Sequence, residues 1–405
     1  MKTFRIFVVF TILALAFAGC KAQVEVPTGD VTIQLWTQEG ESDNAYQYVV
    51  SLTDAFTALY PNITFEVVQK DTETLREDFQ TASLAGAAPD LLWTVSDHAG
   101  PFTTAGLIQP VDEYFDMDLY VPSVVMNDST WAVPISSGNH LMLIYNKDLV
   151  AEAPADTDEL IAKAEELTQG DTYGLVYNAT EPFWLVPWLG GFGGSVFAED
   201  GVTPTLNTDT MVNTLQFLYD LKFTYQVTPE SIDYDTADTL FKEGKAAMII
   251  NGDWSLGAYK ELFGDKLGVA PLPKVTATGI YPAAYTSGKY FMLPKDLAGD
   301  KLDAAIKFIE FATNEENQLN QLSTLSRLPG LKSVLSNEAI TSDPILAGSA
   351  LAMSYGTPMP TVTEMRCSWD AMKPEMNLVL AGSETPADAA AAMQAATEAC
   401  ILQLE

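Results

Sequence analysis

Basic residues are scarce in this chain. Its 405 residues include 21 lysines and arginines against 54 aspartates and glutamates, giving a formal charge of −33. A field of that sign repels phosphate backbones and anionic headgroups, so neither nucleic acid nor an anionic lipid surface is an expected partner. Anionic solutes are disfavoured as well, unless a local cluster of cations overrides the mean field. Histidine occurs twice and cysteine three times. No pair of them has metal-ligand spacing, so neither a zinc site nor another cofactor is expected. The chain also lacks a nucleophile elbow and a phosphate-cradling glycine loop. Acidic pairs are abundant, but with so many carboxylates they arise by chance. No local signature marks the raised-pKa acid that a glycoside hydrolase needs opposite a second carboxylate. Catalysis is therefore not expected, and a glycoside hydrolase is the weaker alternative. Beyond residue 20 no apolar run is long enough to span a bilayer.

What is present begins with an export signal. Lys2 and Arg5 precede the apolar stretch Ile6 to Phe17, followed by Ala18-Gly19-Cys20. The apolar stretch is too short to cross a membrane, and this order of features reads as a signal peptide. Small residues directly before a cysteine resemble the bacterial lipoprotein signal, although Phe17 stands where that signal usually carries leucine. The expectation is removal of residues 1–19, lipidation of Cys20, a tether over 20–28 and an extracytoplasmic body held at the cell membrane. Ordinary cleavage after Ala18 or Gly19 is the alternative. The mature chain, about 385 residues with a charge of about −35, has the length of two lobes.

Hydrophobic periodicity organises the rest. Val31 to Trp36 alternates as a strand, and Asn44 is placed to cap a helix whose apolar face is Tyr48, Leu52, Ala55, Phe56 and Leu59. A second strand at Ile63 to Val67, a helix from Glu73 to Leu84 and a third strand at Asp90 to Trp93 follow. Strands alternating with helices predict an α/β fold built on a parallel sheet, with ligand beyond the carboxyl ends of the strands. Near the other end, helical patterning over Cys367 to Leu380 and Pro386 to Leu402 flanks the turn Gly382-Ser383-Glu384. Antiparallel packing would bring Cys367 and Cys400 together, and a disulfide is plausible outside the cytoplasm. Two free buried thiols are the alternative.

The segment Thr180 to Gly194, TEPFWLVPWLGGFGG, sets Phe183, Trp184, Trp188 and Phe192 among prolines and glycines that no regular strand tolerates. Rings on a short helix or turn of an exported protein can form a stacking platform for the C–H face of a pyranose. Equally, aromatics dominate core burial, and periodicity alone leaves both readings open.

Three further stretches carry a resemblance: APDLLW at Ala88 to Trp93, IYNKD at Ile144 to Asp148, and LFKEGKAAMIINGDW at Leu240 to Trp254. Together they resemble the family 1 extracellular solute-binding proteins, most closely the maltose- and maltodextrin-binding proteins of bacterial ABC importers. The likeness runs from Val31 almost to Glu405. It implies a periplasmic-binding-protein-like fold of two α/β lobes joined by three hinge crossings, with ligand in the cleft between them. One lobe would hold residues 28–136 and 287–332, the other 139–283 and 338–405. It also implies a monomer that binds a maltodextrin-type oligosaccharide and hands it to permease subunits. Other neutral di- or oligosaccharides are the alternative, and so is a receptor or adhesin using the same clamp.

The resemblance assigns the site residue by residue. Trp93, Phe183, Trp254, Trp369 in CSWDAM and Tyr234 match sugar-stacking aromatics, with Trp184 and Glu181 beside Phe183. Trp188 and Phe192 are expected to pack beneath. The polar readout departs from the family pattern. Gln38-Glu39-Gly40-Glu41 replaces an Asp-Lys, Asp97-His98 replaces an Asp-Arg, and Asn139 stands where a glutamate is expected. Glu39, Glu41 and Asp97 remain candidate acceptors for sugar hydroxyls, since an ionised carboxylate only accepts. With His98 in place of arginine, a guanidinium fork is expected to be missing.

Overall fold

The computed structural model describes residues 25–40 and 44–404. The signal segment, Cys20 and Glu41 lie outside the described residues. Among those described, no helix is long and apolar enough to cross a membrane.

The first sheet grows from the strand Val31–Thr37, whose alternate residues Ile33 and Leu35 are fully buried. It pairs in parallel with Ile63–Gln69 on one side and Leu91–Val95 on the other. The helices Ala45–Leu59 and Thr72–Leu84 make these crossovers, as the alternation of elements predicts. The expectation of a wholly parallel sheet is corrected by the long strand Tyr285–Pro294, which runs antiparallel to both Leu91–Val95 and Val133–Gly138. That strand returns about 190 residues after its neighbour, and no local period can signal the direction of so distant a pairing. Phe291, Phe308, Phe56 and Trp93 fill the core beneath it.

The second sheet is ordered Leu267–Ala270, Leu141–Asn146, Ala246–Gly252, Tyr173–Tyr177, and only its last pair is parallel. Its central strand, Ala246–Gly252, is buried along its whole length, which explains an apolar run without alternation. The chain passes between the sheets at Asn139-His140, between Val133–Gly138 and Leu141–Asn146. It passes back between Ala270 and Tyr285. After Leu331 it crosses again, and Ile345 and Ala352 join the second core. The result is two lobes, each with its own sheet and core.

Two local expectations are decided by packing. Asn44 does precede the helix Ala45–Leu59, but it is left-handed (φ 60°) and its side chain does not cap. Its amide instead donates to Glu261 at 2.9 Å, a contact between the lobes. The last two helices, Glu364–Leu380 and Pro386–Ile401, pack antiparallel, and a disulfide joins Cys367 to Cys400 with Cα atoms 5.6 Å apart. That separation lies in the usual range for such a bond.

Candidate functional site

The strand Ala246–Gly252 ends where the second lobe faces the first, and the chain turns there into the short helix Asp253–Ser255. The Trp254 ring folds back over Gly252. A Cβ at Gly252 would fall 2.1 Å from the indole, so only glycine lets the ring lie there. The Trp254 indole N–H donates to the Tyr234 hydroxyl at 3.0 Å. Tyr234 opens the helix Tyr234–Lys242, which Asp233 caps by accepting from the Thr236 N–H at 2.9 Å. Phe183 lies on the turn Pro182–Trp184 with its ring centroid 6.2 Å from Trp254 and 6.3 Å from Trp369. Tyr285 meets Trp369 edge-on at 6.1 Å. Phe183, Tyr234, Trp254 and Trp369 are each half-buried and together form one tilted aromatic wall on the second lobe. Glu181 stands beside it, ion-paired with Lys373.

The rest of the aromatic segment is core. Trp184 is 7% exposed and donates its indole proton to the Ile250 carbonyl at 2.8 Å, which corrects its assignment as a ligand ring. Trp188 is fully buried against Phe217, and Phe192 packs half-buried on the same ring.

Trp93 is the larger correction. Its ring is fully buried, edge-on to Phe291 at 5.0 Å, and offers no face to a ligand. The strand Leu91–Val95 is buried on both faces, so a side chain at that position joins the core whichever way it points. The Trp93 indole donates to Glu39 Oε1 at 2.9 Å. Glu39 also receives both arms of the Arg327 guanidinium, at 2.6 and 3.0 Å. Glu39 is thus an internal acceptor rather than an open one. His98 keeps the place of the missing arginine, and the guanidinium that grips Glu39 comes from a position 288 residues away. Burial alone would raise the Glu39 carboxyl, but the Arg327 and Lys289 cations outweigh it and hold it below the ordinary value.

The first lobe therefore meets the aromatic wall with polar groups. Lys289 Nζ lies 5.7 Å from the Trp254 ring centroid, within cation–π reach. Asp97 is half-buried on the first lobe, close enough to Trp369 for that side chain to act on its carboxyl. Its Oδ1 is enclosed with no hydrogen-bond partner. Burial raises the Asp97 carboxyl, with Arg76, Trp369 and Lys289 opposing. His98 follows, its Nδ1 2.7 Å from the Thr94 hydroxyl and its Nε2 enclosed without a partner. Burial, with Arg76 and Lys289 nearby, lowers its pKa to about 3, so the ring is neutral. Asn139 is buried at the crossing between lobes (φ 44°), where its N–H donates to Asp253 Oδ2 at 3.1 Å. Its place is the hinge floor.

Arg76, Lys289 and Arg327 are the buried cations among the described residues, and all three lie around this cleft. They face Glu39, Asp97 and Asp370, the last 3.9 Å from Arg76. These cations offset much of the local negative charge within a strongly acidic molecule. Sequence reasoning missed Arg327 and Lys289 because neither sits in a motif; an arginine and a lysine within otherwise apolar or small-residue stretches were the available signal. The arrangement can stack a flat ring face on one side and exchange hydrogen bonds with hydroxyls on the other. Among the described residues no cluster of His, Cys, Asp and Glu could hold a metal ion.

Known proteins share this fold and much of this sequence. The maltose/maltodextrin-binding domain from Bdellovibrio bacteriovorus, solved bound to maltotriose, superposes with a TM-score of 0.86 at 34% identity, covering 92% of this chain and 100% of that one. The maltotriose-binding protein of Pyrococcus abyssi is 27% identical over 368 residues, 88% of this chain and 79% of its own length. A maltooligosaccharide ABC transporter solute-binding lipoprotein of Streptococcus pneumoniae is 25% identical over 307 residues, 71% of each chain. The family model for bacterial extracellular solute-binding proteins matches residues 51–348. On these grounds the chain belongs to the bacterial extracellular solute-binding proteins.

Proposed function

We propose that this protein is the binding subunit of a carbohydrate ABC importer and takes a maltodextrin-type oligosaccharide between its lobes. The observation that carries the reading is the aromatic wall of Phe183, Trp254 and Trp369 facing Asp97 and Lys289. Sugar rings have an apolar face and a hydroxyl rim, and these two sides match them. The maltotriose and maltodextrin named for its relatives supply the sugar. The protein has no catalytic role and delivers its ligand, as a monomer, to permease subunits. Cys20 tethers it outside the cytoplasm, a reading supported by the small residues before that cysteine and by the relative named a lipoprotein.

Titration with maltotriose tests the ligand. Trp254 and Trp369 lie in the wall, so intrinsic fluorescence changes saturably with maltotriose and not with an unrelated solute. A flat titration rejects maltodextrin. The runner-up is another neutral di- or oligosaccharide, favoured by the withdrawal of Glu39 into an internal ion pair. A panel of sugars read by thermal shift separates the two, because a ligand bound only to the native state raises its melting temperature. Shortening of maltoheptaose by the purified protein would overturn the non-catalytic reading.

A further inference from the structure

Arg327 touches both lobes. It is 2% exposed, and its guanidinium spans Glu39, on the loop after the first strand, and the Trp254 carbonyl, which it reaches through Nη2 at 3.4 Å. Its own backbone is fixed to the first lobe. Ser326 is left-handed (φ 52°), Ser137 N–H donates to the Leu328 carbonyl at 2.9 Å, and the Ser137 hydroxyl donates to the Pro329 carbonyl at 2.9 Å. Trp254 belongs to the second lobe, where its ring rests on Gly252 and its indole N–H on Tyr234. A buried arginine–glutamate pair is a weak source of stability, because desolvating both charges offsets their attraction. An apolar pair in its place could not reach the Trp254 carbonyl. The fork is planar and can satisfy a carboxylate with two arms while one of them also meets a carbonyl; an ammonium cannot hold that geometry.

We propose that Arg327 is a positioning residue for the Trp254 stacking turn, holding it at a fixed separation from the Glu39 loop across the floor of the cleft. The proposal rests on the sugar-binding reading above and adds to it a residue outside the aromatic wall that sets affinity through one ring of that wall. Arg327 touches no sugar. It fixes where the Trp254 backbone sits, and hence the ring that stacks.

A double-mutant cycle of wild type, Arg327→Lys, Trp254→Ala and the combination, titrated with maltotriose, tests this. Arg327→Lys is expected to weaken binding about tenfold, the equivalent of about 1.4 kcal/mol. In the Trp254→Ala background the same substitution is expected to change affinity less than twofold, because the ring through which it acts is gone. A tenfold loss in both backgrounds, or no loss in either, overturns the proposal. Should Arg327→Lys fail to fold, the paired change Glu39→Gln with Arg327→Met takes its place in the cycle. The amide oxygen that Glu39→Gln introduces can still accept the Trp93 indole proton, and the buried charges leave together. If wild type itself does not bind maltotriose, the ligand reading falls and Arg327 is judged without sugar. The Trp254 share of the emission, taken as the difference from Trp254→Phe, then shifts on Arg327→Lys if the proposal holds, and an unshifted share overturns it.

Discussion

Trp93 lies in the middle of the strand Leu91–Val95 and Trp254 just past the end of Ala246–Gly252, and truncating each separates core from cleft wall. Trp254 is half-buried with its ring in the cleft wall. Trp254→Ala should weaken maltotriose binding by about 1–3 kcal/mol, by analogy with aromatic stacking on bases, and leave the melting temperature little changed. Trp93 is enclosed in the first core, and Trp93→Ala should cost about 3–5 kcal/mol of stability. Parallel denaturant and fluorescence titrations read both. A destabilised Trp254→Ala with full affinity would return that ring to the core. The histidines give a pH dependence. His98 has a folded pKa of about 3 against an ordinary 6.5, through burial and the neighbouring Arg76 and Lys289. Between those values the unfolded chain binds the proton and the folded one does not. The contribution is therefore complete above pH 6.5 and is lost as pH falls toward 3. Burial lowers His140 in the same direction, against Asp253. Melting temperature should fall from pH 7 to pH 5, and His98→Gln should reduce that slope without abolishing it. An unchanged slope would show that the folded ring takes up its proton as readily as the unfolded chain does.

The helix Glu364–Leu380 carries Trp369 into the cleft, and its back is tied to the C-terminal helix through Cys367–Cys400, 33 residues apart. Closing a loop of that length restricts the unfolded chain, and the bond should contribute about 2–4 kcal/mol. Urea midpoints of wild type with and without reductant, against Cys400→Ser, measure it; equal midpoints for all three would mean the thiols are unpaired in solution. Inside this helix Pro374 removes one N–H donor. At the end that holds Trp369, the segment before the helix lies against the first lobe: Thr363 and Thr104 hydroxyls are 2.7 Å apart. At this contact a Cβ on Gly100 would fall 2.2 Å from the Thr361 carbonyl oxygen.

That last contact is felt at the scale of the whole molecule. Gly100 is in the first lobe and Thr361 leads into the second lobe's helix, so any side chain at 100 wedges the two apart. Gly100→Val should raise the radius of gyration measured by small-angle scattering at saturating maltotriose and weaken binding at least tenfold. A scattering curve identical to wild type would mean that the helix absorbs the branch locally. Charge also acts at this scale. The acidic surface surrounds a cleft in which Arg76, Lys289 and Arg327 face Glu39, Asp97 and Asp370. A neutral ligand carries no net charge for the field that excludes polyanions to act on.

Much of this was written locally. The strand Val31–Thr37 and the helix Ala45–Leu59 follow from periodicity. The stretches around Phe183, Trp254 and Trp369 were legible as candidates through the family resemblance and their place at loop or helix starts, and the same signals also pointed to the buried Trp93. What the sequence by itself determined was the set of elements, the pattern of an export signal and which residues could reach a ligand. Tertiary structure alone decided which of them line the cleft. Both Trp93 and Trp254 match family aromatics, yet Trp93 lies within a strand roofed on both faces and Trp254 on a turn opened by Gly252. Glu39 looked like an open acceptor until Arg327, arriving from 288 residues away, took it. Periodicity is a property of neighbours along the chain, whereas the face a side chain meets is set by whichever distant segment packs against it.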